Sequence, residues 1–334
     1  MEREKAEEAR SILWKIGAVD RTREVVEREG AILIPLLMTD IGVSNPPGEI
    51  IEVPSVPRQE RQEKPFDTVV GSLDIPSPAK KKLPRRWELI GDILILKIDS
   101  SLAQYKEEIA EGYAKVLRAK TVLEDIGGIC GEFREPRFRT IIGEDTTTIH
   151  KENGIRFKLD VSKIMFSSGN IEERIRMASV CGKKEVIVDM FAGIGYFSLP
   201  IAVHSSPARI YACEKYPLAY EYLCENARLN GVQEVVEPIL GDCREVAPEG
   251  VADRIVMGYL KETHKFLPKA LKVLKGKGRI HYHESCPNEL LPHRPLERLK
   301  KASKGWKMRV ENYRVVKSYA PGVSHIAVDV FLEP

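Results

Sequence analysis

A chain of 334 residues, 43% hydrophobic and 30% charged, is globular in character and long enough for two or three cores. No apolar run approaches the roughly 18 residues that span a bilayer. The opening Met1-Glu2-Arg3-Glu4-Lys5 is too charged for an export signal, so residence in the cytoplasm, off the membrane, is expected. A net charge of +3 and a pI near 8.4 permit contact with nucleic acid without requiring it, because a local patch sets phosphate affinity.

In chain order, residues 5–16 carry Ala9, Ile12, Leu13 and Ile16 on one helical face, and Gly17 stops the helix. Residues 31–37 read as a buried strand with Pro35 favouring an edge. Together they make a small α/β unit over residues 1–44. A Pro-rich stretch over 45–86 reads as a linker and ends in Lys80-Lys81-Lys82-Leu83-Pro84-Arg85-Arg86-Trp87, suited either to phosphate contact or to plain solvation. Over 87–168 the pattern is α+β: a strand at 93–98, an amphipathic helix at 102–119 and short strands at 121–123, 138–142, 146–150 and 155–159.

From residue 169 to 334 strands and helices alternate. Strands are expected at 186–188, 209–212, 235–240, 254–257 and 278–282, with helices at 196–203, 219–229 and 265–274 between them. This alternation predicts a parallel, doubly wound α/β sheet. Residues 307–313 and 324–331 look like a closing antiparallel pair.

Chemistry concentrates at the strand ends. Val186-Ile187-Val188 runs into Asp189-Met190-Phe191-Ala192-Gly193-Ile194-Gly195 and then a helix, the spacing of a loop whose glycines let backbone approach a ligand. The next strand ends in Glu214-Lys215, about twenty residues on, where a carboxylate reads ribose hydroxyls. The third ends in Gly241-Asp242-Cys243, with a carboxylate able to accept from an adenine amino group. Nicotinamide binding fits less well, since Ser198 replaces the third glycine and Asp189 precedes the first two; both details favour S-adenosylmethionine. The six cysteines contain no Cys-x-x-Cys pair, and His281-Tyr282-His283 lacks partners at ligand spacing, so reduced thiols and no metal are expected.

The Asp189–Gly195 segment resembles the core motif of the family group that contains tRNA guanine-37 N1-methyltransferases and, more closely, the archaeal-type tRNA wybutosine-synthesizing aminocarboxypropyltransferases. The resemblance extends through His150-Lys151-Glu152-Asn153-Gly154, Lys163-Ile164-Met165-Phe166-Ser167, Glu173-Arg174, Ile280-His281-Tyr282-His283 and Tyr319-Ala320-Pro321-Gly322-Val323, covering about the last 250 residues. It implies a Rossmann-like class I S-adenosylmethionine-dependent transferase domain. It also implies cofactor contacts at Ser167, Arg174, Glu214, Asp242 and Cys243, above the Asp189-Ala192-Gly193-Gly195 loop and beside Lys215. Arg174 is then a partner for the cofactor's carboxylate, or else a helix-surface charge. Methyltransferases of the group carry Asn-Leu-Pro or Asn-Pro-Pro-Tyr after the fourth strand; here stands Met257-Gly258-Tyr259, the aminocarboxypropyltransferase version. These three are the catalytic candidates, with Tyr259 stacking on the base or lining the core.

The implied reaction moves the 3-amino-3-carboxypropyl group to a wyosine-type base at position 37 of phenylalanine tRNA. Guanine-37 methylation is the alternative, and a non-catalytic tRNA-binding protein the alternative of another class. Arg134 and Arg137, interleaved with aromatics in Gly131-Glu132-Phe133-Arg134-Glu135-Pro136-Arg137-Phe138, are candidates for RNA contact, and a monomer is expected. The N-terminal unit resembles the small extra domain of the methyltransferase sister.

Overall fold

The computed structural model describes residues 64–334 without a break, together with residues 6, 9, 12–14, 16–20, 23–28, 31–37, 48–51 and 53. The chain divides into two compact units, Met1–Thr68 and Val69–Pro334. Of the Pro-rich segment, Pro46, Pro47, Pro54 and Pro57 lie outside the described residues, as does part of the predicted first helix.

In the first unit Ala6, Ala9 and Ile12 to Trp14 are helical, and the buried side is Ala6, Ala9 and Leu13. Ile12 and Ile16, expected on that side, are exposed: Ile12 falls beside the i, i+3, i+7 stripe from Ala6, and Ile16 lies in the turn after the helix. The strand expected over 31–37 is shorter and only half-buried. β1 (Val26–Arg28) pairs antiparallel with β2 (Ala31–Leu33), and the chain then leaves the ladder before Pro35.

The stretch read as linker is folded in its second half. Pro65 opens α1 (Pro65–Ser72), and Pro78 lies in the first turn of α2 (Ser77–Lys80), where a missing N–H costs nothing. Val69, Leu73, Ile75, Ala79 and Leu83 are buried. Lys80 donates to the Val70 carbonyl at 3.0 Å and Lys82 to the Ser101 hydroxyl at 2.9 Å, so two lysines of the basic cluster serve the fold.

β3 (Trp87–Ile90) and β4 (Ile93–Leu96) form a hairpin. A 3₁₀ turn and α3 (Lys106–Leu117) then cross over to β5 (Thr121–Cys130), parallel to β4, and β6 (Glu135–Ile142) returns antiparallel. β7 (Thr147–Glu152) and β8 (Ile155–Asp160) meet at Asn153-Gly154, both at positive φ (46° and 78°), the geometry of a two-residue hairpin turn.

α4 (Ile171–Val180), for which the sequence reading gave no bounds, leads into the large sheet. That sheet comprises β9 (Val186–Asp189), β10 (Arg209–Glu214), β11 (Val236–Leu240), β12 (Ala252–Met257), β13 (Leu274–Pro287), β14 (Lys307–Ala320) and β15 (Val323–Glu333). Its order is β11-β10-β9-β12-β13-β15-β14. The first five are parallel, and β15 and β14 close the edge antiparallel, as the sequence predicts. The connections include α5 (Ser198–Ser205), α6 (Pro217–Leu229), the single turn α7 (Cys243–Val246), α8 (Leu267–Val273) and α9 (His293–Ala302).

Alternate strand residues sort to two cores: Ile187, Ala212 and Val256 on one face, Val188, Cys213, Ile255 and Met257 on the other. Both faces being covered, the central strands are largely apolar, with Asp189, Arg254 and His281 as buried exceptions.

A line of charged groups runs through this interior. Glu185 takes two bonds from Arg254 (2.6 and 2.9 Å), and Arg254 donates to His281 Nε2 at 2.5 Å. A guanidinium only donates, so Nε2 is the acceptor and the His281 proton sits on Nδ1, which gives it to Asp329 at 2.6 Å. Asp329 also accepts from Arg176 (2.6 Å), whose guanidinium grips Glu173, a carboxylate with no exposed surface. His281 is thus a buried structural link, and its pKa is lowered, first by burial.

Candidate functional site

The parallel strands end at one crevice, the place where open α/β sheets bind ligands. At the end of β9, Asp189 is wholly buried. Its Oδ2 accepts from the Ser198 hydroxyl at 2.8 Å and its Oδ1 from Phe191 N at 3.2 Å. Burial pushes this carboxyl up to about 6, against those hydrogen bonds. Asp189 therefore shapes the glycine loop from below and does not line the crevice. Ser198, which stands where a nicotinamide site has its third glycine, is its clamp.

The loop turns through Gly193 (φ 57°) and Gly195 (φ 102°). A Cβ on Gly193 would sit 2.5 Å from the Tyr196 ring. Tyr196 is itself fixed, its hydroxyl donating to the Met165 carbonyl. Asn226, buried on α6, ties the outside of the loop down: Nδ2 donates to the Ile194 and Lys158 carbonyls (3.2 and 3.1 Å), and Oδ1 accepts from Lys158 N (2.7 Å). Ala192 is buried and donates its N–H to the Cys213 carbonyl at 2.9 Å.

At the end of β10, Glu214 accepts from Gly193 N through Oε2 and from Tyr216 N through Oε1, both at 2.7 Å. Its pKa is raised by burial, which outweighs these backbone donors. Each oxygen keeps a further lone pair toward the crevice. After β11, Asp242 caps α7, and its carboxylate is forked by Arg244 at 2.9 and 2.6 Å, which holds it down to about 2. Cys243 is buried beside it.

These elements enclose a cavity of about 500 Å³, within the range of small-molecule sites. It is lined by ten predicted residues: Arg134, Ser167, Arg174, Gly193, Glu214, Lys215, Asp242, Cys243, Gly258 and Tyr259. Asp189, Ala192 and Gly195 lie beneath it. Met257 points into the sheet core with no exposed surface, and Arg137 is exposed on β6 away from the lining.

Arg174 is neither a surface charge nor unpaired. It is 2% exposed and bonds Glu152 through Nε (2.6 Å) and Nη2 (2.5 Å), while Nη1 donates to the Ser167 carbonyl (3.0 Å). Burial opposes ionisation of Glu152, yet His150 and Arg174 outweigh it and lower its pKa.

Several lining residues escaped the sequence reading. Tyr259 stacks on Phe191 (5.3 Å, 21°), and Phe266 meets Phe191 edge-on at 4.8 Å, making an aromatic wall. Opposite, the turn after β5 folds over the cavity. Phe133 stacks on Tyr216 (4.6 Å, 13°), Glu132 pairs with Lys215 at 2.7 Å, and Glu135 accepts from the Tyr216 hydroxyl at 2.8 Å. Lys317, on β14, reaches in to bond the Ser167 hydroxyl at 2.9 Å. Alternating aromatic and charged residues around residue 133 were the one available signal; Lys317 lies in no motif.

A class I Rossmann-like sheet, a glycine loop, and carboxylates at the second and third strand ends define an S-adenosylmethionine-dependent transferase. The family model described as the TRM5/TYW2 methyltransferase domain matches residues 148–311, and that of the TYW2 N-terminal domain matches residues 71–146. The chain belongs to the TRM5/TYW2 family. It is 46% identical, over 80% of its own length and 96% of the relative's, to a tRNA(Phe) (4-demethylwyosine(37)-C(7)) aminocarboxypropyltransferase of Pyrococcus horikoshii. The crystal structure of P. horikoshii TYW2 in complex with MeSAdo superposes with a TM-score of 0.72 at 42% identity, covering 80% of this chain and 98% of that one. The structure of Trm5b from Pyrococcus abyssi covers all of this chain and 98% of its own, with a TM-score of 0.74 at 34% identity.

Proposed function

We propose that this chain transfers the 3-amino-3-carboxypropyl group of S-adenosylmethionine to C7 of the 4-demethylwyosine base at position 37 of phenylalanine tRNA, releasing methylthioadenosine. The observation that carries the reading is the 46% identity to an enzyme of that activity across nearly its whole length. The end of β12 agrees with it. Met257 is core and Gly258 has no side chain, so this strand end offers no side-chain amide to grip a guanine edge.

S-adenosylmethionine is consumed as a substrate. The C7 carbon attacks the chain carbon next to the sulfonium, the carbon–sulfur pair withdraws onto sulfur, and the C7 proton passes to water. The protein's part is placement, since the leaving group is already cationic. The Gly193 loop lets backbone approach the nucleoside. Glu214, held open by two backbone donors, takes the ribose hydroxyls, and Asp242 and Cys243 flank the adenine. Ser167 and Arg174 stand at the end for the amino-acid tail, and Tyr259, braced by Phe191, offers a face to the incoming base.

The rest of the reading follows from this assignment. Residues 87–168 contact the anticodon loop, with Arg134 and Arg137 against RNA, and residues 169–334 hold the donor. Residues 1–44 support the tRNA body, joined by the segment 45–86. The enzyme works as a monomer in the cytoplasm. Among the described residues no helix is long and apolar enough to cross a membrane.

The test uses tRNA carrying 4-demethylwyosine and donor labelled either in the methyl or in the carboxyl group. Carboxyl label entering RNA while methyl label stays in methylthioadenosine is the expected result. Methyl label entering RNA would make guanine-37-type methylation the activity instead.

A further inference from the structure

The near-neutral total charge of the chain hides a basic end. Residues 269–309 hold twelve lysines and arginines but three acids, where the whole chain holds 52 and 49. The fold gathers this excess at the amino ends of the parallel strands, the side opposite the crevice. Lys275 and Lys277 stand at the start of β13, Lys300 and Lys301 in the last turn of α9, Lys304 in the turn that follows, and Lys307 opens β14. Gly278 and Met308 both lie opposite Leu332 of β15, so the two strand starts share one row, two strand spacings or about 10 Å apart. All six lysines are exposed, and none makes an ion pair among the described residues. Other cations take the acids: Glu249 holds Lys269 (2.9 Å), Glu311 holds Arg279 and Arg309 (both 2.8 Å), and buried Glu284 holds Arg294 and Arg298 (both 2.9 Å). Glu297 on α9 and Glu333 across from Lys307 offset part of the field.

We propose that this lysine field is a second RNA site, which takes the phosphate backbone of an RNA other than the one whose base enters the crevice, without reading its sequence. Lysine is a hydrated point charge that suits a phosphate, and contacts of that kind carry no sequence information. The rings at this end are occupied. Trp306 is half-buried on the core, and Phe331 lies beneath Arg279 and Arg309 at 5.3 Å each, so no aromatic face is offered to a base. Distance separates the field from the transfer site. Lys317 lines the cavity, and ten strand residues at about 3.3 Å each put Lys307 roughly 30 Å from it. A field serving the arm in the crevice would lie beside the crevice mouth, whereas this one draws phosphate to the far end of the sheet. The site therefore stands apart from the reaction proposed above and does not depend on which carbon is moved.

The test is fluorescence anisotropy on the full chain with a labelled RNA hairpin of unrelated sequence, titrated across salt concentrations with saturating unlabelled tRNA present. Wild type should bind the hairpin alongside the tRNA. Its log affinity should fall against log salt with a slope of about −3 to −5, the release expected for four to six phosphates at roughly 0.7–0.9 each. Lys300→Gln/Lys301→Gln/Lys304→Gln/Lys307→Gln should flatten that slope by about 3 and weaken binding at least about tenfold. Lys275→Gln/Lys277→Gln, on the neighbouring strand, should flatten it by about half as much. Both variants should bind S-adenosylmethionine and turn over tRNA within about twofold of wild type, as distant sites do, which shows the fold intact. A wild-type slope in both variants overturns the proposal. So does complete displacement of the hairpin by tRNA, which would place it in the crevice. A matching fall in kcat/KM for tRNA overturns it too, since the lysines would then hold the body of the substrate itself. Binding of phosphatidylserine vesicles without binding of the hairpin refutes it in favour of a membrane contact.

Discussion

Replacing Gly193 by alanine separates the two demands the loop makes on that residue. The first is conformational: at φ 57° an L-residue gives up about 1–2 kcal/mol. The second is steric. The new methyl would lie 2.5 and 2.7 Å from two Tyr196 ring carbons. That ring is half-buried, packed edge-on to Phe166 at 5.7 Å, and its hydroxyl is bonded to the Met165 carbonyl, so it is held against the loop. Overpacking of this kind costs about 1–3 kcal/mol, for a total near 2–5 kcal/mol. Gly250 supplies the control. Its φ is 70°, and nothing lies within 4 Å of an added Cβ, so Gly250→Ala should lose only the conformational part, about 1–2 kcal/mol. Denaturant unfolding of both variants, with S-adenosylmethionine titrated calorimetrically into each, reads the difference. Gly193→Ala should also bind at least about tenfold more weakly, because its N–H holds Glu214 in place. If the two variants unfold alike and bind the donor like wild type, the close approach assigned to Gly193 is wrong.

Glu152→Ala strands the buried Arg174 charge and should cost about 3–5 kcal/mol in denaturant unfolding, whereas the double variant Glu152→Met/Arg174→Met should regain much of it. Phe133→Ala removes the stack on Tyr216, worth about 0.5–1.5 kcal/mol beyond buried area, so stopped-flow should show donor leaving roughly 2- to 10-fold faster. Asp189 supplies a pH dependence. Its folded pKa, about 6, lies above its ordinary 3.8, so the folded state binds the extra proton. Stability therefore falls as pH rises from about 4 to 6, by about 3 kcal/mol from this group. Asp189→Asn should flatten that part of the curve, and an unchanged slope would remove the assignment.

The catalytic half was legible because its signals are local. The apolar runs of β9, β10 and β12 each feed directly into a turn, and the glycines of residues 193 and 195 sit where the chain must bend. The two-residue turn at Asn153-Gly154 falls between the strands expected on either side of it. What stayed hidden has physical reasons. α4 carries Glu172, Glu173, Arg174 and Arg176 in one decade of sequence, which fits a solvated helix face, yet three of these are spent on buried or half-buried ion pairs. α9 shows few apolar residues, of which Leu299 is buried. The helices at 65–80 were masked by prolines that in fact sit at helix starts. Lys317 and Ser167 are 150 positions apart, and only the return of the last two strands along the sheet edge brings them together.

The chain of charges from Glu185 to Glu173 has a consequence for how the tail end of the cavity keeps its shape. A greasy helix can slip along a sheet and trade one methyl contact for another at small loss. α4 cannot, because rotating it by one residue would withdraw Arg176 from Asp329 and leave opposite charges facing apolar neighbours. Its seat behaves as a keyed joint with a single setting, and Arg174, two positions before the key, inherits that setting.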